Sequence, residues 1–388
     1  MKYNFDKIID RKNTNSIKYD FAERRGKPAD ILPLWVADMD FAAPDGVIAE
    51  LKSKAEHGIF GYSEPDDKYY EALCGWFKNR HGWDCDKNYF VQTCGVVHAI
   101  CSLVRALTEE GDGVIICQPV YYPFASAVTD NGRKLVVSEL KNSDGFYTVD
   151  FVDFEKKIAD NKVKLFILCS PHNPAGRVWT KEELKRLGDI CLKHGVFVIS
   201  DEIHCDFTYG GNKHIVFPTV DKKFEKICAV CTAPSKTFNL AGLHTANIYI
   251  ADKTARNKLV AELNKQGYSQ PNITGLVACR AAYEQGGEWL DRLQDYLTGN
   301  LNFVREYLAE NLPQIKLCEP QGTYLVWLDC RAAGMDDKTL SDALIKAGLW
   351  LDDGFIFGVG GSGFERINIA CPRATLRLAM EKFKKAFN

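Results

Sequence analysis

The stretch KLFILCSPHNPAGRVWT, Lys164–Thr180, is apolar at nearly every position up to Cys169 and then breaks into a turn rich in proline, histidine, asparagine and glycine. A strand with apolar residues at successive positions is covered on both faces, as the central strands of parallel sheets are. Six further runs read the same way: YFVQTC (89–94), GVIICQP (113–119), KLVVSEL (134–140), VFVIS (196–200), KICAVCT (226–232) and TANIYIA (245–251). Helical patterns separate several of them; after the first run, Val97, Ile100, Val104 and Leu107 share one face. These runs predict an α/β chain whose large domain has three αβα layers around a mostly parallel seven-stranded sheet.

From about Asn272 to Asn311 the pattern turns helical, broken only at Gly286-Gly287, and a helix of that length joins two lobes. Beyond it, IKLCEPQGTYLVWLDC, a helix near 337–347, ERINIACP and a last amphipathic helix predict a smaller α+β domain. The expected division is 45–285 for the large domain, and 1–44 with 286–388 for the small one.

Lysine and arginine total 49 against 51 acidic residues, a net charge of −2 with no long run of one sign, which argues against nucleic acid as a partner. No apolar segment approaches a membrane span, and the charged opening MKYNFDKIIDRKNTNSIKYD lacks the apolar core of a leader, so a cytoplasmic protein is expected. The fourteen cysteines are scattered through apolar runs and are expected to be reduced. Cys228 and Cys231 have C-x-x-C spacing, but on a strand residues three apart face opposite ways, so no metal is expected there.

Ligands of open α/β sheets bind outside the carboxyl ends of the strands, so the turns after the runs carry the chemistry. Asp201, ending VFVISD, can pair with a ring nitrogen and keep it protonated. Asn173 can donate to a phenolate oxygen on the same ring. Lys236, in CTAPSKTFNLAG (231–242), can form a Schiff base with an aldehyde if burial and nearby cations lower its pKa. The amides at Gly95, Val96 and Val97 open a helix and can hold a phosphate. Pyridoxal 5′-phosphate meets all four demands.

The motifs SPHNPAGRVW, SDEIHCDF, APSKTFNLAGLHTAN and FERINIACPR resemble the fold-type I pyridoxal-phosphate enzymes, the aspartate aminotransferase superfamily. LPLWVADMDFAAP and GIFGYSEPDDKYYEAL narrow the resemblance to its MalY/PatB-like cystathionine β-lyase branch. The resemblance implies that Lys236 is the Schiff-base lysine, Asp201 the partner of the pyridine nitrogen and Asn173 that of the ring oxygen. It makes Tyr121 the aromatic stacked on the ring and Ser235 a phosphate contact. Tyr62 is implied to reach the phosphate of a neighbouring subunit, which requires a homodimer. Arg373, in IACPRATL, is expected to bind the substrate carboxylate, with Trp35, Asp38 and Met39 near the substrate side chain.

Two positions depart from the superfamily pattern. His244 stands eight residues after the lysine, where many aminotransferases place a phosphate-binding arginine. His204 stands three after the aspartate, where many have tyrosine; it is either a neighbour of the ring oxygen or a buried structural histidine. GVGGSG (358–363) follows no strand-to-helix signature of a nucleotide loop and is read as a mobile loop on the substrate side. The implied activity is β-elimination of a thiol from L-cystathionine or a related cysteine S-conjugate. A class I/II aminotransferase and a regulator that binds a transcription factor are the alternatives.

Overall fold

All seven apolar runs form strands of one sheet in the computed structural model, which describes residues 3–388. In chain order they are β1 (Phe90–Thr93), β2 (Gly113–Gln118), β3 (Lys134–Glu139), β4 (Val163–Cys169), β5 (Phe197–Asp201), β6 (Cys228–Thr232) and β7 (Ala246–Tyr249). The spatial order is β1-β7-β6-β5-β4-β2-β3, and only β7 runs antiparallel to its neighbours. The sheet is therefore mostly parallel, as the two-sided apolar runs require.

Alternate residues of the central strands enter separate apolar clusters. Phe166, Leu168, Val198 and Val230 join the cluster containing the helix of residues 181–194, whereas Leu165, Ile167, Ile199 and Cys231 join that of the helix of residues 96–107. Two covered faces make three layers. Cys228 and Cys231 fall in opposite clusters and are both free, as their spacing on a strand dictates.

Register then places the chemistry. Cys169 pairs with Asp201 and Asp201 with Cys231, so β4, β5 and β6 end level and their turns emerge side by side. The order of the sheet thus assembles three separate motifs on one edge.

The helical stretch near the sheet's end divides at Gly286 into α4 (Ile273–Gln285) and α5 (Gly287–Asn311), preceded in the chain by α1 (Asp67–His81), α2 (Val96–Leu107) and the one-turn α3 (Pro234–Thr237). Leu290, Leu293, Leu297, Leu301, Val304 and Leu308 of α5 are all buried, the face that their spacing predicts. A second sheet of four strands follows: β8 (Lys316–Cys318), β9 (Leu325–Asp329), β10 (Asp352–Asp353) and β11 (Phe364–Asn368), in the order β8-β9-β11-β10. The chain ends in α6 (Arg373–Ala386). Among the described residues no helix is long and apolar enough to cross a membrane.

The loop expected to be mobile, 358–363, is instead tied down. Val359 N–H donates to Gln118 Oε1 at 3.0 Å, and Ser362 Oγ and Gly363 N–H donate to Asp337.

Candidate active site

A cavity of about 360 Å³ opens at the carboxyl ends of β4, β5 and β6. Lys236, Ser235, Asp201, His204, Asn173 and Tyr121 all line it, together with Gly95, Val96 and Val97. Its size is that of a small-molecule pocket.

Lys236 sits in α3, where Pro234 at the first turn fixes the backbone after β6. Its side chain is half-buried, and the amine donates to Ala37 O at 2.9 Å. Burial lowers its pKa to about 8; Arg366 adds to that effect, while Asp38 and Asp201 oppose it. A primary amine in that state is available as a nucleophile near neutral pH.

Asp201 shows the opposite shift. Burial pushes its carboxyl up to about 7, against the Ile203 N–H, which donates at 3.2 Å, and the attraction of Lys236. A carboxyl left at such a value has no cation tight against it, so a cationic ring nitrogen in the cavity would answer a need that the protein does not meet itself. His204 is neutral for the same reason, burial, and its Nδ1 is buried with no partner among the described residues. Its ring packs against Tyr324, 5.8 Å between centroids.

Asn173 is held from two sides: its backbone carbonyl accepts the Tyr121 N–H at 3.0 Å, and its Oδ1 accepts Arg366 Nη1 at 3.1 Å. Gly95 caps α2 with φ +148°, a conformation that favours glycine, and a Cβ there would meet open space. The free amides of the first helical turn thus face the cavity without a side chain in front of them. His244, left-handed at φ +48°, also lines the cavity.

The arginine expected to meet substrate is elsewhere. Arg373 opens α6, its Nε donates to Asn300 Oδ1 at 2.8 Å, and its guanidinium lies over Phe303. The buried Asn300 draws it there, because that amide already spends its nitrogen on Ile369 O and Cys371 O and offers only its oxygen. Arg366, seven residues earlier on β11, is the buried arginine beside Asn173, and it also pairs with Asp352 and donates to Trp35 O at 2.8 Å. All five residues of FERIN are buried, so strand alternation does not single out Arg366, whereas Arg373 starts a helix.

Trp35 and Asp38 do not line the cavity. Trp35 stacks on Trp350 at 4.5 Å, and Asp38 Oδ2 pairs with Arg11 at 2.5 Å. The backbone of their segment is what reaches in: Ala37 O accepts both Lys236 Nζ and Tyr324 OH. Two amides that sequence reading missed hold this strap, Asn239 on Met39 and Phe41, and Asn368 on Val36 and Asp38. Met39 is buried beneath it. Tyr62 is 95% exposed, outside any helix or strand, and does not line its own chain's cavity.

An open α/β sheet with a lysine, an aspartate and an asparagine in the turns at three adjacent strand ends defines a class, and comparison with known proteins agrees. The family model for aminotransferase class I and II matches residues 29–383, so the chain belongs to that family. It is 44% identical to the cystathionine β-lyase PatB of Bacillus subtilis, over 99% of this chain and 100% of the relative, and 36% identical to the protein MalY of Escherichia coli, over 96% of each. Among solved structures it is similar to cystalysin of Treponema denticola, which contains a pyridoxal 5′-phosphate cofactor, with a TM-score of 0.96 and 40% identity over 100% and 99% of the two chains.

Proposed function

We propose that this chain is a pyridoxal-phosphate-dependent carbon–sulfur β-lyase that cleaves L-cystathionine or a related cysteine S-conjugate to a thiol (homocysteine from cystathionine), pyruvate and ammonia. The observation that carries it is the Lys236 amine, its pKa lowered to about 8, sharing one cavity with Asp201 and Asn173. When bound, the cofactor supplies an aldehyde for the amine and a ring that accepts electrons from the substrate's Cα.

The chain's own residues divide the remaining work. Lys236 would hold the cofactor through its amine and, freed when substrate binds, would take the proton from Cα at Nζ. Asp201 would keep a ring nitrogen protonated, and that cation would return its carboxyl to the ionised form. Asn173 donates through its amide nitrogen, since Arg366 has taken its oxygen. Tyr121 would cover the ring, and Ser235 with the amides of Val96 and Val97 would hold the phosphate. Arg366 replaces Arg373 as the group for the substrate carboxylate, because its guanidinium stands beside Asn173 while Arg373 is committed to Asn300. Tyr324 OH helps to hold the Ala37 carbonyl that accepts Lys236 Nζ at the cavity wall.

The reading includes a cytoplasmic homodimer, in which Tyr62 serves the neighbouring site, and a cofactor-binding body of residues 45–285. The 44% identity to a cystathionine β-lyase over the whole chain favours elimination over transamination. The purified enzyme, given L-cystathionine and no keto acid, is expected to release pyruvate, ammonia and homocysteine over many turnovers. Turnover that starts only on adding a keto acid would make it an aminotransferase.

A further inference from the structure

Asp206 follows β5 by five residues and lies outside the cavity, yet it touches the lysine's neighbour. Its side chain is 3% exposed. Oδ1 accepts Trp76 Nε1 at 3.1 Å and His81 Nε2 at 2.9 Å, and Oδ2 accepts Thr237 Oγ1 at 2.7 Å. Thr237 is 1% exposed and is bonded in sequence to Lys236 within the one-turn α3. Trp76 and His81 both belong to α1.

Burial alone would raise this carboxyl, but donation from His81, Thr237 and Trp76 holds it below the ordinary carboxylate range. It is an ionised group in the interior with every donor around it assigned. Cys205 brings its thiol to the same place, and the ligand atoms of His81, Cys205 and Asp206 lie within 4.8 Å of one another. Three protons already point at the two oxygens, which favours a hydrogen-bonded brace over a metal centre.

A four-residue helix has little ladder of its own to fix it; α3 is closed by two backbone bonds, Phe238 N–H to Pro234 O at 2.9 Å and Leu240 N–H to Ser235 O at 3.0 Å. Its placement depends on side-chain anchors at its end, Thr237 on Asp206 and Asn239 on the Ala37 strap. We infer that Asp206 is a positioning residue for Lys236: through the Thr237 hydroxyl it locks α3 against α1 and the β5 turn, setting where the lysine amine stands relative to Asp201. This rests on the reading of Lys236 as the group that binds the cofactor aldehyde and moves the Cα proton.

The brace acts on proton transfer and not on substrate affinity, so its loss separates kcat from KM. Thr237→Val removes one hydroxyl at nearly constant volume, and Thr237→Ser keeps it. In the holoenzyme, Thr237→Val and Asp206→Asn are each expected to lower kcat about tenfold or more with KM within about twofold, and to move the pH midpoint of the bound cofactor's absorbance. Thr237→Ser restores both. The double variant Asp206→Asn/Thr237→Val is no worse than the poorer single one, since both remove one interaction. A Thr237→Val enzyme with wild-type kcat and midpoint, or additive losses in the double variant, would overturn the brace. So would one zinc ion per chain in the purified enzyme that disappears in Cys205→Ser. Lys236→Ala keeps the two readings apart: if it retains full turnover the lysine's role falls, whereas if it is inactive and Thr237→Val is normal, only the brace falls.

Discussion

Arg366 and Arg373 differ in what already occupies them. Arg373 spends its Nε on Asn300 at the surface of α6, whereas Arg366 is 2% exposed and keeps a buried Nε with no partner among the described residues. Arg366→Leu is therefore expected to raise KM for amino-acid substrates by at least about tenfold, the loss of a bidentate charged contact, and Arg373→Leu to leave KM within about twofold. Steady-state kinetics on the two variants checks this, and the reverse order would reinstate Arg373. Asp201 gives a pH test. Its folded pKa of about 7 lies above the ordinary 3.8, so the folded apoprotein binds the extra proton between those values and loses stability as pH rises through that window. Asp201→Asn removes the penalty. Urea unfolding of the cofactor-free protein is expected to show little gain for the variant near pH 4 and its full gain above pH 7; no gain at pH 8 would contradict the assignment. Lys236, Asp201 and Asn173 were legible in the sequence because each ends an apolar run or stands in the turn just after one. Arg366 was not, because its value comes from a contact with Asn173, 193 positions away.

At the scale of elements, the seven strands were readable because burial on both faces leaves an unbroken apolar run, a signal that needs no partner strand. The strap at residues 35–41 was read as side chains near substrate, but its contribution is a backbone carbonyl, which no residue type announces. Close approach of elements near the site is also testable. Gly275 of α4 faces the turn after His244, where a Cβ would stand 1.9 Å from Thr245 Oγ1 and 2.7 Å from Leu243 O. Alanine gains up to about 1 kcal/mol of helix propensity, but forcing α4 off a backbone oxygen costs about 1–3 kcal/mol, so the clash decides the sign. Gly275→Ala is expected to lower the thermal midpoint and, by shifting the His244 turn, to weaken cofactor retention. An unchanged midpoint would show that α4 and the turn can part freely.

For the whole molecule, the open question is whether one chain makes one site. Tyr62 is 95% exposed, and Ile59 and Phe60 beside it are 65% and 58% exposed, an apolar row that suits contact with a second copy. If Tyr62 serves the neighbouring site, then mixing inactive Lys236→Ala with impaired Tyr62→Ala dimers and allowing subunits to exchange restores activity, because each hybrid holds one intact site. If Tyr62 serves its own chain, mixing adds nothing. The central claim concerns the lysine at the end of β6. Borohydride reduction of the purified holoenzyme fixes an amine–aldehyde adduct as a secondary amine, and digestion with mass spectrometry then locates it. The account predicts the pyridoxyl phosphate label on Lys236 alone and none in Lys236→Ala; a label on another lysine, or none in the native enzyme, would contradict it.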